Sequence, residues 1–141
     1  AGGIYDTWNG YYNGPGNDTY QFGRGDGQDR IVDFDSTAKN IDVLSLGGGI
    51  EESQIWFRRI GSDLEVSIIG TRDSVTINNW YSSSAYHVEQ FQTSSGKILF
   101  DSQVDSLVSA MSSLTPPAVG QTVLSEEYQA SLNQVLAANW K

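Results

Sequence analysis

Asn13-Gly14-Pro15-Gly16-Asn17-Asp18-Thr19-Tyr20 is answered eleven residues later by Arg24-Gly25-Asp26-Gly27-Gln28-Asp29-Arg30-Ile31. Both octapeptides place Gly second and fourth, Asp sixth and a large apolar residue eighth. Two weaker copies flank them. Ala1-Gly2-Gly3-Ile4-Tyr5-Asp6-Thr7-Trp8 lacks the second Gly, and Thr37-Ala38-Lys39-Asn40-Ile41-Asp42-Val43-Leu44 keeps only the Asp and the apolar residue. Repeats are read before single elements, because units too small to bury their own apolar faces bury them by stacking.

Each unit has a simple physical reading. A Gly-rich turn exposes backbone carbonyls, and the Asp that closes it adds a carboxylate. The next few residues form a very short strand whose large side chain, Trp8, Tyr20, Ile31 or Leu44, points inward. Successive turns then alternate between the two edges of a flattened parallel solenoid, with turn 1–6 over turn 24–29 and turn 13–18 over turn 37–42. Each stacked pair gathers carboxylates and carbonyls around one point, an all-oxygen cage of the kind Ca²⁺ prefers and one poorly suited to Zn²⁺ or to rigid octahedral Mg²⁺. The candidate ligands are Asp6, Asn13, Pro15, Asn17, Asp18, Arg24, Asp26, Gln28, Asp29 and Asp42. A single turn of this type is better explained by an Asp bonding its own backbone. Repetition in register is what points to a cation.

Composition agrees with turns rather than with a solvated acidic face. Of 15 Gly, 11 lie in residues 1–50, and of 11 Asp, seven lie in residues 1–42, a stretch without Glu. With 17 acidic and 8 basic residues the net charge is −9, which repels nucleic acid, and no basic cluster offsets it locally. The absence of Cys excludes thiol nucleophiles, disulfides and thiolate metal sites. A single histidine, His87, excludes a His-rich zinc site and leaves little for acid–base catalysis at neutral pH. No apolar run approaches the roughly 18 residues of a membrane-spanning helix. No signal peptide is seen, and the first residue is Ala, so the chain reads as an excised piece of something longer.

Residues 14–20 and 25–31 resemble the nonapeptide repeats of RTX (repeats-in-toxin) proteins. The likeness continues through Asp18–Asp29 and through Gly70-Thr-Arg-Asp-Ser-Val-Thr-Ile-Asn-Asn-Trp80 to the end at Asn139-Trp140-Lys141. The order of parts is similar to the C-terminal block of the adenylate cyclase–haemolysin toxins. The resemblance implies an all-β chain with C-terminal helices: a short calcium-binding parallel β-roll over residues 1–49, an antiparallel β capping segment over 50–100, and a helical tail over 101–141. It also implies Ca²⁺ as the bound ion and an uncleaved C-terminal export signal in residues 101–141, read by type I secretion machinery. The product would be a secreted protein of a Gram-negative bacterium, with the rest of a parent polypeptide upstream of Ala1. Turns 1–6 and 37–42 depart from the family pattern.

Downstream, Leu64–Ile68 and Val75–Ile77 alternate as half-buried strands. Ile55–Phe57, Trp80–Tyr81 and Val88–Phe91 are further β-like pieces, with Ser94–Lys97 a hairpin, Gly61-Ser62-Asp63 an ordinary hairpin turn and Gly70–Asp73 another. These form a cap whose aromatic residues Trp56, Phe57, Trp80, Tyr81 and Phe91 fill a core; a ligand platform on exposed aromatics is the alternative. Val104, Leu107, Val108, Met111 and Leu114 form a helical stripe with Ser102 and Asp105 as a capping pair, stopped by Pro116 and Pro117. Ser125 starts a second helix, with Glu126 and Glu127 in its first turn and Tyr128, Leu132, Val135 and Leu136 on its apolar face. Glu51 and Glu52 point apart on a strand, and His87 is a lone surface residue, so no constellation argues for an enzyme. The expected function is a calcium-dependent folding and secretion module, with an adhesion or carbohydrate-recognition module as the alternative.

Overall fold

A computed structural model describes residues 4–6, 10–13, 19–33 and 41–141. Among the described residues, ten strands precede two helices: β1 (Ile4–Asp6), β2 (Gly10–Asn13), β3 (Thr19–Phe22), β4 (Gln28–Asp33), β5 (Val43–Leu46), β6 (Ile55–Ile60), β7 (Asp63–Ile68), β8 (Ser74–Ile77), β9 (Gln90–Gln92), β10 (Ile98–Phe100), α1 (Val104–Ser112) and α2 (Glu126–Asn139). The chain is β-rich with two C-terminal helices.

The strands form two sheets, ordered β1-β2-β4-β8-β7-β6 and β10-β9-β5-β3. From β2 to β5, and again at β8 and β9, successive strands change sheet, so like strands meet in parallel. β2 pairs with β4 and β4 with β8; β3 pairs with β5 and β5 with β9. The register aligns the apolar eighth residues of the repeats. Ile31 lies beside Ile77 in one sheet, and Tyr20, Leu44 and Phe91 form a row in the other. All five are buried to 1% exposure or less. A parallel ladder needs its strands buried on both faces or closed by a second layer, and here the two sheets supply each other's cover.

The parallel pairing therefore runs past residue 49, the boundary read from the sequence, and takes in β8 and β9. Between β5 and β8 the chain makes the antiparallel hairpin β6–β7, which extends the first sheet. Leu64, Val66 and Ile68 alternate inward at 0% exposure, as their period-two spacing dictates. β6 is the last strand of that sheet. α1 packs along it, and the Phe57 N–H donates to the Met111 Sδ at 3.3 Å. Ser125 Oγ accepts the Tyr128 N–H at 3.2 Å and caps α2, whose Leu132 and Leu136 complete the core.

Several local expectations change. Residues 4–6 are not a Gly-rich turn but strand β1, antiparallel to β2 with Asp6 opposite Gly10. Glu52 belongs to a 3-10 turn that Glu51 caps, rather than to a strand. Trp80 and Tyr81 lie in a turn. Ser102 does not cap α1; its own N–H bonds the Asp101 Oδ1 at 3.0 Å. Trp8 lies outside the described residues.

Candidate metal-binding turn

Residues 23–27 join β3 to β4. Gly25 and Gly27 have φ of 87° and 75°, values that a side-chain-bearing residue reaches only with strain. They flank Asp26, whose N–H bonds the Gly23 carbonyl at 3.2 Å while its Oδ2 accepts the Gly23 N–H at 2.8 Å. The turn is thus locked on itself at one end. At the other end the Gly25 and Gly27 N–H groups both donate to one carboxylate, that of Asp73, at 2.9 Å each. Asp73 is 9% exposed, and the Gly25 N–H leads the contacts that hold its carboxyl below the usual carboxylate range.

Asp29 is the second residue of β4, two residues beyond Gly27. Its Oδ1 is buried and has no hydrogen-bond partner. Burial, then the charge of Asp26, pushes its carboxyl up. A buried carboxylate oxygen without a partner is the kind of group that a hard cation satisfies.

Of the ten candidate ligands, Arg24 and Asp26 fall in this turn, and Gln28 and Asp29 are the first two residues of β4 that follow it. Asp6 ends β1 and Asn13 ends β2. Pro15, Asn17 and Asp18 lie outside the described residues. Asp42 stands apart, at the entry to β5 and 1% exposed. Its N–H donates to the Glu89 Oε1 at 2.8 Å, and its carbonyl accepts the N–H groups of Glu89 and Gln90. Among the described residues, no group of three or more His, Asp or Glu side chains is placed to hold a metal. Asp73 and Glu89, which contact the two candidate turns, were not singled out from the sequence. Each sits immediately before a strand that resumes the parallel ladder.

Glu89 is pushed up to about 7, first by burial and then by the charges of Asp42 and Asp101. His87 is no lone surface residue. It stacks on Trp80 at 3.9 Å and 12°, its Nδ1 lies 3.0 Å from the Asp101 Oδ2, and its Nε2 donates to the Trp80 carbonyl at 2.9 Å. Both ring nitrogens are engaged. Trp56, Phe57, Trp80 and Phe91 are at most 3% exposed, which removes them from any ligand platform and places them in the core.

Residues 63–103 match the model of the haemolysin-type calcium binding protein related domain. The match supports an RTX-related, calcium-binding family and covers the stretch from β7 to the start of α1. Over 93 residues the chain is 31% identical to the iron-regulated protein FrpA of Neisseria meningitidis serogroup C. That alignment takes in 64% of this chain and 8% of the relative, so the chain spans less than a tenth of that relative's length. No helix among the described residues is long and apolar enough to cross a membrane.

The calcium that this family description implies fits the chemistry of the turn. The donors are oxygens, one carboxylate oxygen is buried and unpartnered, and a second carboxylate close by raises the cost of charging the first.

Proposed function

We propose that this chain is a calcium-dependent folding and secretion module at the C-terminus of an exported RTX protein. Its two sheets form a short parallel β-roll whose Gly/Asp turns bind Ca²⁺. The supporting observation is the buried, unpartnered Asp29 carboxylate oxygen at the end of a positive-φ glycine turn in a parallel ladder. Asp29 and Asp26 would hold the ion with carbonyls of the turn, and the repeat pattern assigns the same role to Asp6, Asp18 and Asp42. The bound ion supplies charge neutralisation. Without it the acidic turns repel one another, so at low cytosolic calcium the chain stays loose enough to thread a secretion channel. At extracellular calcium the binding energy becomes folding energy. Residues 101–141 would carry the export signal.

Circular dichroism tests the reading directly. In chelator the chain shows little β-structure, Ca²⁺ restores it, and Mg²⁺ at equal concentration does far less. A full β spectrum in EDTA would falsify it.

A further inference from the structure

One side chain links the Gly23–Gly27 turn to the segment that follows the β6–β7 hairpin. Asp73 leaves a turn whose own shape is fixed. The Thr71 Oγ1 accepts the Asp73 N–H at 3.0 Å and donates to the Ile68 carbonyl at 2.8 Å, while the Asp73 carbonyl accepts the Ile68 N–H at 3.1 Å. The carboxylate thus extends from a rigid arm. Its Oδ2 takes the Gly25 N–H and its Oδ1 the Gly27 N–H. Convergent backbone amides on a tight glycine turn form an anion-binding concavity, and here the anion belongs to the chain itself. Immediately afterwards the ladder begins: the Ser74 N–H bonds the Gly27 carbonyl at 3.0 Å, and Asp29 pairs in register with Val75.

Both Asp73 oxygens are committed to amides, so Asp73 is poorly placed to serve as a ligand. Gly25 and Gly27 are the two residues of the turn at positive φ, and glycine reaches other φ values as readily. Without a partner for their N–H groups, nothing on that side selects the positive φ values that place Asp26 between them and Asp29 beyond.

We propose that Asp73 is a positioning residue for the calcium turn: by filling the amide concavity of residues 25–27 it holds Asp26 and Asp29 in their presenting geometry, and it makes that turn's calcium affinity depend on the folded β7–β8 connection. The inference rests on the calcium reading above, and its test separates the two.

The experiment uses the full, isotope-labelled chain as wild type, Asp73→Asn and Thr71→Val. Asn keeps the size but presents one acceptor and one donor to two N–H groups; Val frees the arm and keeps the charge. Calcium midpoints are read by Trp fluorescence, and amide exchange is followed at Gly25 and Gly27, with Val66 in β7 as the internal reference. Asp73→Asn should raise the midpoint roughly tenfold, in line with the loss of a hydrogen bond to a charged group. It should expose the Gly25 and Gly27 amides while Val66 stays protected, and Thr71→Val should shift the midpoint the same way by less. A wild-type midpoint in Asp73→Asn, or equal loss of protection at Val66, overturns the proposal. If Asp73→Asn does not fold, an unchanged midpoint and unchanged glycine protection in Thr71→Val overturn it. A wild type that ignores calcium defeats the calcium reading alone. The glycine exchange pattern in the variants then still decides whether Asp73 holds the turn.

Discussion

The backbone N–H of Lys141 donates to the Ile98 carbonyl at 2.8 Å and fastens Asn139, Trp140 and Lys141 beside β10. Trp140 is 2% exposed and tilts against Phe57, with ring centroids 6.5 Å apart. Trp140→Ala should therefore remove about 3–5 kcal/mol of stability, the range for truncating a large buried aromatic residue. Trp140→Phe should lose less, because it also deletes an indole N–H that is buried without a partner. Denaturant unfolding in saturating calcium measures both. An Ala variant as stable as wild type would show that these residues only rest on the surface.

Asp29→Asn keeps the shape of the side chain and removes the charge from the unpartnered oxygen. The calcium midpoint for folding should rise about 10- to 100-fold, as for the loss of an interaction important to a metal site. Asp63 looks like a neutral control from the sequence, where it sits in a hairpin turn. In the structure its Oδ2 is 3.2 Å from Arg30 and its Oδ1 accepts the Asn79 N–H at 2.9 Å, so it braces the residue next to Asp29. The exposed Glu127 is the better control. Equal shifts in Asp29→Asn and Glu127→Gln would assign the effect to total charge.

Trp80 supplies no ligand, yet Trp80→Ala should weaken apparent calcium affinity. The ring stacks on His87 and lies 5.9 Å from Phe91, which is paired in parallel with Leu44. Metal binding and folding share one equilibrium, so lost packing appears as a higher calcium midpoint. A fragment ending near residue 48 lacks β8 and β9, the parallel partners of β4 and β5, and should stay unfolded at any calcium concentration. Calorimetry showing wild-type calcium affinity in that fragment would make the repeats self-sufficient.

Gly70 turns at φ 76° with the strap of residues 120–122 lying against it. A Cβ there would sit 2.7 Å from the Gln121 carbonyl carbon and oxygen, and the Gly120 N–H bonds the Gly70 carbonyl at 2.7 Å. Gly70→Ala should lower stability by about 2 kcal/mol or more through clash and backbone strain together. Thermal unfolding beside Gly61→Ala, which has the same kind of φ but open space, separates the two terms.

Glu89 gives a pH dependence of definite sign. Its carboxyl is raised in the folded protein from an ordinary 4.5 to about 7, so the folded state holds the proton more tightly than the unfolded state. Stability from this group is complete below about pH 4.5, declines as pH rises, and levels off above about pH 7. Asp73 acts in the opposite direction. Its lowered carboxyl stabilises above its ordinary 3.8 and loses that contribution in stronger acid. Glu89→Gln, which keeps the acceptor for the Asp42 N–H, should flatten the fall between pH 4.5 and 7. A decline of wild-type size in that variant would assign it to another group.

The inward residues of the repeats were legible because they share one place in the unit. Tyr20, Ile31 and Leu44 are all buried, and β7 and β8 follow from simple alternation. The continuation of the ladders into β8 and β9 was not legible. Residues 47–73 intervene, and a periodic signal broken by a hairpin no longer announces its next member. Asp73 and Glu89 escaped for the same reason. Asp73 meets Gly25 and Gly27 across 48 and 46 residues of chain, and Glu89 meets Asp42 across 47. No local pattern encodes such pairs. The aromatic residues were legible as core by size alone, whereas the His87 stack depends on a turn that composition does not specify.

The hydrogen bond from the Phe57 N–H to the Met111 Sδ has a bearing on the order in which the molecule is made. An uncovered final strand bearing Ile55, Trp56 and Phe57 is a template for pairing with other chains. The helix that shields it is encoded some fifty residues later, as Val104–Ser112. A ribosome therefore releases the adhesive strand well before its guard. A chain that folded at once would pass through a state prone to intermolecular pairing, and one kept loose until its last residues are free has strand and helix available together.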